Sequence, residues 1–246
     1  MILIILTFSL CIFGTFLTRS GVMSSVHSFT ESSLGPVFLI FVFIILICSF
    51  GLMYFRIEDL RSPRKIESVT SRESGFLFNN LIFVVICFAV FWGTLFPVIS
   101  EAITGNKISV GPPFFNQINI PIGLALLALT GIGPLLAWKG TSNQKLIQKF
   151  TFPTLLSLLS AAVFIFFKMT GYVVISFSLC IFVFAAIFSE FSKGIQARTS
   201  KFGESPLLAF YKMIHKNRSR YGGYIVHLGI VLMFIGFTGH AFDKEK

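Results

Sequence analysis

The chain has 246 residues, of which 54% are hydrophobic and only 12% are charged, and its formal net charge is +10. Soluble domains carry about 25% charged residues, so this composition excludes an ordinary soluble enzyme, a disordered tail and a small secreted disulfide scaffold. In so apolar a chain, the basic surplus is better explained by loop lysines and arginines that set membrane topology than by nucleic acid. We therefore predict an all-α, polytopic transmembrane helical bundle with no nucleic-acid partner.

A helix that spans a membrane needs about 20 mostly apolar residues. About seven runs meet this rule, near residues 1–17, 34–55, 76–99, 118–138, 152–168, 172–191 and 223–241. We interpret residues 1–241 as a single transmembrane helical domain. We interpret residues 242–246 as the first residues of a segment on the outer side of the membrane, the rest of which is missing from this sequence.

Basic residues alternate between the predicted loops. Segments 56–75, 139–151 and 192–222 contain five, three and seven Lys or Arg residues, whereas each of the other inter-helix loops contains one. The positive-inside rule places the basic segments on the cytoplasmic side, or on the matrix side of a mitochondrion. The N-terminus is therefore predicted to lie inside.

The predicted outer loop at 100–117 contains Gly111-Pro-Pro-Phe-Phe115. Consecutive prolines remove backbone donors and fix φ, so we expect this stretch not to form regular helix. It could form the wall of an apolar ligand site or a rigid turn capped by interfacial aromatics. Composition alone favours the rigid turn.

Four histidines are candidate metal ligands. His215 lies in a basic loop and His240 at an interface, where solvated or snorkelling roles are the simpler interpretation. His227 lies inside an apolar span, where ionisable residues mark function by default, although a histidine hydrogen-bonded between helices is an equal alternative. His27 follows Arg19 on the first outer loop, and such a pair could hold haem iron and a propionate, although a surface histidine is the simpler interpretation of these two residues alone.

The predicted topology separates His27 from His227. His227 lies about four residues, or roughly 6 Å along a helix, from the inner boundary, whereas His27 lies beyond the outer one. The hydrocarbon core is about 30 Å thick, and axial iron–nitrogen bonds are on the order of 2 Å. If both histidines bind haem iron, they therefore serve two sites on opposite sides of the membrane, each with a second ligand from elsewhere.

Distinctive motifs occur in four stretches of the chain. They are Gly14-Thr-Phe-Leu-Thr-Arg-Ser-Gly-Val-Met-Ser-Ser-Val-His-Ser-Phe29, Arg72-Glu-Ser-Gly-Phe-Leu-Phe-Asn-Asn80 with Gly93-Thr-Leu-Phe-Pro97, Ile108-Ser-Val-Gly-Pro-Pro-Phe-Phe-Asn116, and Arg220-Tyr-Gly-Gly-Tyr-Ile-Val-His-Leu-Gly229. In this order the stretches resemble the CcmF-type cytochrome c haem lyases, a family of cytochrome c-type biogenesis proteins.

This resemblance implies work in cytochrome c maturation, in which haem is received from a haem chaperone and attached covalently to apocytochrome c on the outer side of the membrane. It also implies that His27 is one axial ligand of a transient outer haem and that His227 is one axial ligand of a membrane-embedded haem b. The assignment of Arg19 to a propionate rests on chemistry alone. Thiol-reducing and tryptophan-rich subunits are further expected partners. A bacterial inner membrane is the expected location, with the mitochondrial inner membrane as the alternative.

The sequence also departs from that family. Its only tryptophans are Trp92 and Trp138, so the family's tryptophan-rich outer segment has no counterpart here. The second histidine of each haem pair is also missing. The chain thus resembles the middle-to-late portion of such a protein, as a subunit of a split lyase or as a fragment, and haem lyase activity is expected only with a partner. The alternatives are a non-catalytic assembly scaffold and, with less support because no span carries a central carboxylate, a small-molecule transporter.

Overall fold

The computed structural model describes residues 1–20, 35–60, 68–137, 142–169 and 171–242. Within these ranges the chain forms α1 (Ile2–Arg19), α2 (Gly35–Phe55), α3 (Arg72–Thr104), α4 (Pro112–Leu135), α5 (Asn143–Phe166), α6 (Tyr172–Phe202), α7 (Pro206–Lys216), α8 (Arg218–Gly239) and a 3₁₀ helix, His240–Phe242. All of these α-helices except α7 are long and apolar enough to span a membrane. The predicted polytopic helical bundle is confirmed, and the inward N-terminus stays a prediction.

Several helices extend beyond the apolar runs that predicted them. The run 76–99 lies within α3, and α6 continues past residue 191 to Phe202. Hydrophobicity marks the part of a helix that lies in lipid, but helical hydrogen bonding continues through polar residues until a cap ends it. Gly203 ends α6 in the left-handed region at φ +64°, where glycine is favoured, and its N–H donates to the carbonyl of Thr199.

The expectation that Gly111–Phe115 is not helical is wrong. Helix α4 begins at Pro112, so both prolines occupy its first turn. The N–H groups of a first turn have no partner within the helix, and the φ of proline suits that position. The rings of Phe114 and Phe115 pack edge to face, 5.4 Å apart, against Gly93 of α3. A Cβ on Gly93 would come within 2.7 Å of either ring.

The described residues divide into two compact units. One contains Met1–Lys65 with Leu95–Ser109, and the other contains Ile66–Thr94 with Val110–Lys246, so the boundary falls within α3. In the first unit, α1 packs on α2. In the second unit, α6 contacts α4, α5, α7 and α8. Half of the apolar window of α6 is buried, against at most a third for any other predicted span, so α6 forms the centre of this unit.

Small and hydroxylated residues mediate the packing of α6. Ser157 of α5 donates to the carbonyl of Ser178 at 2.8 Å, and the hydroxyls of Ser176 and Thr238 lie 2.6 Å apart. In lipid, apolar burial does not drive helices together, so close backbone approach and hydrogen bonds between helices have a larger share in the packing. This explains why the helix at the centre of the unit carries serines and alanines as well as aliphatic side chains.

Gly131 lies where α4 meets α6, and its substitution is expected to separate these helices. A Cβ at this position would come within 2.7 Å of the Phe182 ring and 3.1 Å of Val183. We expect Gly131→Ala to destabilise the unit by about 1–3 kcal/mol relative to Gly123→Ala, because overpacking forces side chains and backbone to shift. The control lies in the same helix, where the new Cβ meets the Phe234 ring at an ordinary 3.7 Å. Thermal unfolding in detergent measures the difference, and equal midpoints would contradict it.

Helix α7 lies in the segment 192–222 that the sequence analysis interpreted as a loop. The carboxylate of Glu204, just before this helix, accepts hydrogen bonds from Arg198 at 2.6 Å and from Lys212 at 2.9 Å. The Arg198 guanidinium and the Lys212 ammonium hold the pKa of the Glu204 carboxyl below its ordinary value. The ion pairs fasten α7 to the end of α6, which shows that part of the basic segment is structural.

Candidate functional site

A cleft with a volume of about 1430 Å³ lies in the second unit. Its walls come from the beginning of α3, the end of α4, the first turns of α5 and the beginning of α8. Leu129, Ile132 and Phe150 give it an apolar lining. These helix ends adjoin the basic segments 56–75, 139–151 and 192–222, so in the predicted topology the cleft lies at the inner face of the membrane.

His227 is on the cleft wall, together with Tyr224 and Arg220. The three residues are spaced i, i+4 and i+7 along α8, which places them on one face of the helix. The Nδ1 atom of His227 is buried and has no hydrogen-bond partner among the described residues. Buried polar atoms without a partner are rare in native proteins, so this nitrogen is chemically conspicuous.

A backbone carbonyl of α4 lies next to the His227 ring. The carbonyl of Thr130 lies beside the imidazole. Within α4 this carbonyl would normally accept from the residue four positions later, but that residue is Pro134, which has no N–H. The proline therefore leaves the Thr130 carbonyl available to the histidine. In metal-binding histidines, one ring nitrogen commonly faces a backbone carbonyl, so the position of Thr130 is compatible with that role.

The cleft is strongly cationic. Its lining includes five basic residues and no carboxylate, among the described residues: Arg72, Lys149, Lys216, Arg218 and Arg220. Two of them bind the carbonyls that the last turn of α4 leaves without helical partners. Lys149 donates to Leu135 at 2.9 Å and Arg72 to Pro134 at 3.2 Å. The end of α4 therefore anchors two cations at the cleft.

Arg220 is held by a buried carboxylate that the sequence analysis did not single out. Its Nη2 lies 2.6 Å from Oε2 of Glu190 on α6, and its Nε donates to the Tyr224 hydroxyl at 3.0 Å. Glu190 is only 5% exposed. The sequence signal for this residue is a lone carboxylate at the end of the predicted span 172–191, where an acidic residue needs a partner.

Glycines leave room along the cleft wall. Gly75, Gly133 and Gly223 line it, and a Cβ added to Gly133 or Gly223 would meet no atom within 4 Å. At Gly75 the new atom would meet only Leu136, at 3.7 Å. A flat group could therefore approach the backbone closely at these positions.

The other predicted site residues lie elsewhere. Arg19 is the exposed last residue of α1, in the first unit, and His27 lies outside the described residues. Their pairing therefore stays a prediction. His215 is exposed and stacks on Tyr211; it contacts Arg218 of the cleft lining at 2.6 Å but does not itself line the cleft. Among the described residues, no group of three or more His, Cys, Asp or Glu side chains gathers in a way that could hold a metal ion.

Comparison with known proteins finds close relatives in one family, although no protein-family model matches. The chain is 35% identical over 246 residues to the cytochrome c-type biogenesis protein CycK of Rhizobium meliloti, covering 99% of the chain and 36% of that protein. It is 35% identical over 244 residues to the cytochrome c-type biogenesis protein CcmF of Pseudomonas aeruginosa, covering 96% and 35%.

A solved structure named Cytochrome c Heme Lyase CcmF has the same fold as this chain. The TM-score is 0.61 at 26% sequence identity, over 95% of this chain and 32% of that one. The chain thus spans about a third of the length of the relatives it matches. The identity over nearly the whole chain, together with the shared fold, shows that the chain belongs to the CcmF family of cytochrome c-type biogenesis proteins.

Proposed function

We propose that this chain is a membrane component of a cytochrome c haem lyase, and that its cleft binds haem b with His227 as one axial ligand. The observation that carries the proposal is the position of His227, the one histidine among the described lining residues, on the wall of the large cleft. The names of the relatives, which are cytochrome c-type biogenesis proteins and a haem lyase, support it. Haem iron in a site of this kind supplies one-electron redox chemistry.

The residues of the cleft fit such a group. Its volume of about 1430 Å³ exceeds the roughly 300–1,000 Å³ of ordinary small-molecule pockets, which leaves room for a macrocycle. Leu129, Ile132 and Phe150 supply apolar walls, and His227 supplies an imidazole. One histidine provides one axial ligand, so the proposal requires the second from a partner segment or subunit.

Filling the cleft beside Gly223 with a larger side chain tests whether haem b binds there. We expect Gly223→Leu to lower haem b content severalfold, because the new side chain extends into the cleft. The matched control is Gly222→Leu, next to it on α8, where a Cβ also meets no atom within 4 Å but the residue does not line the cleft. Pyridine haemochrome spectra of the chain, purified with its partners, measure haem per protein. Equal haem in the two variants would contradict a haem site in the cleft.

The proposal extends to an outer haem. His27 would be one of its axial ligands, and Arg19 would pair with a propionate carboxylate. Support comes from the resemblance of stretch 14–29 to the family motif and from the predicted topology, which puts this stretch outside. The chain would receive haem from a haem chaperone and present it to apocytochrome c, in a bacterial inner membrane and in a complex with thiol-reducing and tryptophan-rich subunits. Lyase activity would require these partners.

A further inference from the structure

We propose that Lys149 and Arg220 bind the propionate carboxylates of haem in the cleft, so that its carboxylate edge points toward the basic ends of the helices. This inference rests on the proposed function of the cleft and extends it to the orientation of the bound group. Haem is an apolar macrocycle with two carboxylates on one edge. The cleft combines an apolar lining with a cationic end, and these are the two chemistries that such a molecule requires.

The charged residues of the cleft favour an anionic ligand. Five cations line it, whereas the lining contains no carboxylate among the described residues. Glu190, behind Arg220, compensates one of the five. Lys216, Arg218 and Arg220 are exposed, whereas Arg72 and Lys149 are partly buried. Partly buried charges are costly unless they are paired, so an anionic ligand is favoured beside Lys149.

The spacing along α8 places Arg220 at a distance from His227 that suits a carboxylate on the edge of a haem ligated by that histidine. Seven residues separate Arg220 from His227, which is a rise of about 10 Å on the same helix face. A metal bound at the centre of a macrocycle and a carboxylate on its edge also lie apart by a distance of this order. Arg220 therefore lies toward the end of the cleft where the edge of a haem ligated by His227 would lie.

Both cations are already held in place and retain donors. Glu190 and Tyr224 engage Nη2 and Nε of Arg220, and its Nη1 has no hydrogen-bond partner among the described residues. Lys149 gives one of the three donors of its ammonium to the Leu135 carbonyl. The two side chains come from different helices, α8 and α5, so each could receive one of two carboxylates. Fixed side chains lose little conformational entropy on binding.

An anionic lipid could present similar chemistry. Basic pockets between membrane helices at the inner face also bind phospholipid phosphates. The shared chemistry is an anionic oxygen group bound by Lys149 and Arg220. A test must therefore separate the carboxylates of haem from the phosphate of a lipid, and haem dimethyl ester does this because it keeps the macrocycle and loses both negative charges.

The experiment titrates haem and haem dimethyl ester into the chain, purified with its partners from haem-deficient cells. We expect the parent protein to prefer haem over the ester by about tenfold or more, since hydrogen bonds to charged groups are strong. Lys149→Gln should lose most of this preference. Lys145→Gln, an exposed lysine one turn earlier on α5 and outside the cleft lining, should keep it.

Arg220 needs a second variant because its removal alone leaves Glu190 buried without a partner. The double variant Glu190→Gln, Arg220→Gln removes both charges together and should lose the preference for haem as Lys149→Gln does. Full preference in both the Lys149 and the double variant would overturn the inference.

The outcomes separate this inference from the proposed function. If His227→Ala abolishes haem binding while Lys149→Gln and the double variant keep the full preference, the haem site stands and the orientation is wrong. If the parent protein binds haem and its ester equally and Lys149→Gln loses co-purified phospholipid, the cations bind a lipid phosphate and the inference fails. If the parent protein binds neither form, the inference and the proposed function both fail.

Discussion

Replacement of His227 by alanine is expected to remove haem b from the chain while the helices stay folded. The imidazole is the one histidine side chain on the cleft wall, and its buried Nδ1 has no other role among the described residues. Loss of an axial ligand removes a coordination bond, and the described cleft lining contains no second histidine and no cysteine or methionine. A pyridine haemochrome spectrum of the chain, purified in mild detergent with its partners, gives the haem content.

The matched control is His215→Ala, an exposed histidine outside the cleft lining. This variant should keep its haem. Unchanged haem content and an unchanged spectrum in His227→Ala would refute its role as ligand. If the parent protein also holds no haem while its partners remain bound, the scaffold interpretation would replace the haem-site proposal.

Removal of Arg220 is expected to cost more stability than removal of the same charge elsewhere. Arg220→Gln leaves the Glu190 carboxylate, only 5% exposed, without its cation. Breaking a buried ion pair from one side is strongly destabilising, but the Arg220 side chain is 48% exposed, so solvent screens part of the loss. We expect a loss of about 1–3 kcal/mol in the free energy of unfolding, the range for an unsatisfied buried group.

The double variant Glu190→Gln, Arg220→Gln should recover much of this loss, because no buried charge then remains. Arg56→Gln is the matched control, since Arg56 and Asp59 form an ion pair in which both side chains are largely exposed. Thermal unfolding of these three variants, of Glu190→Gln and of the parent protein gives the coupling between the two charges. Equal melting temperatures for Arg220→Gln and Arg56→Gln would show that the buried pair adds nothing to stability.

The bundle could be predicted from the sequence because a membrane span is a local property of about 20 residues. The helix ends could not be placed in the same way. Gly203 ends α6 well beyond the apolar run, and Pro112 begins α4 inside a stretch expected to be irregular. Backbone caps and proline position determine such boundaries, and hydrophobicity does not report them.

The candidate site, too, could be predicted from the sequence only in part. His227 stands out in the sequence because an imidazole in an apolar run is costly unless it has a function. Pro134 is also visible in the sequence, and it implies that the carbonyl of Thr130 lacks a helical donor. That this carbonyl meets His227, and that Glu190 and Lys149 lie near α8, is not visible there.

The sequence by itself determined that the chain is a bundle of membrane helices, that it resembles the CcmF-type haem lyases, and that His227 is the exceptional residue of its span. These properties depend on composition and on residues close together in the chain. Only the tertiary structure decided that α4, α5 and α8 bring the Thr130 carbonyl, Lys149 and His227 to one cleft, with the buried carboxylate of Glu190 on α6 paired to Arg220. The physical reason is that contacts between helices depend on the packing of small side chains and of caps distant in sequence, such as Gly131 against Phe182.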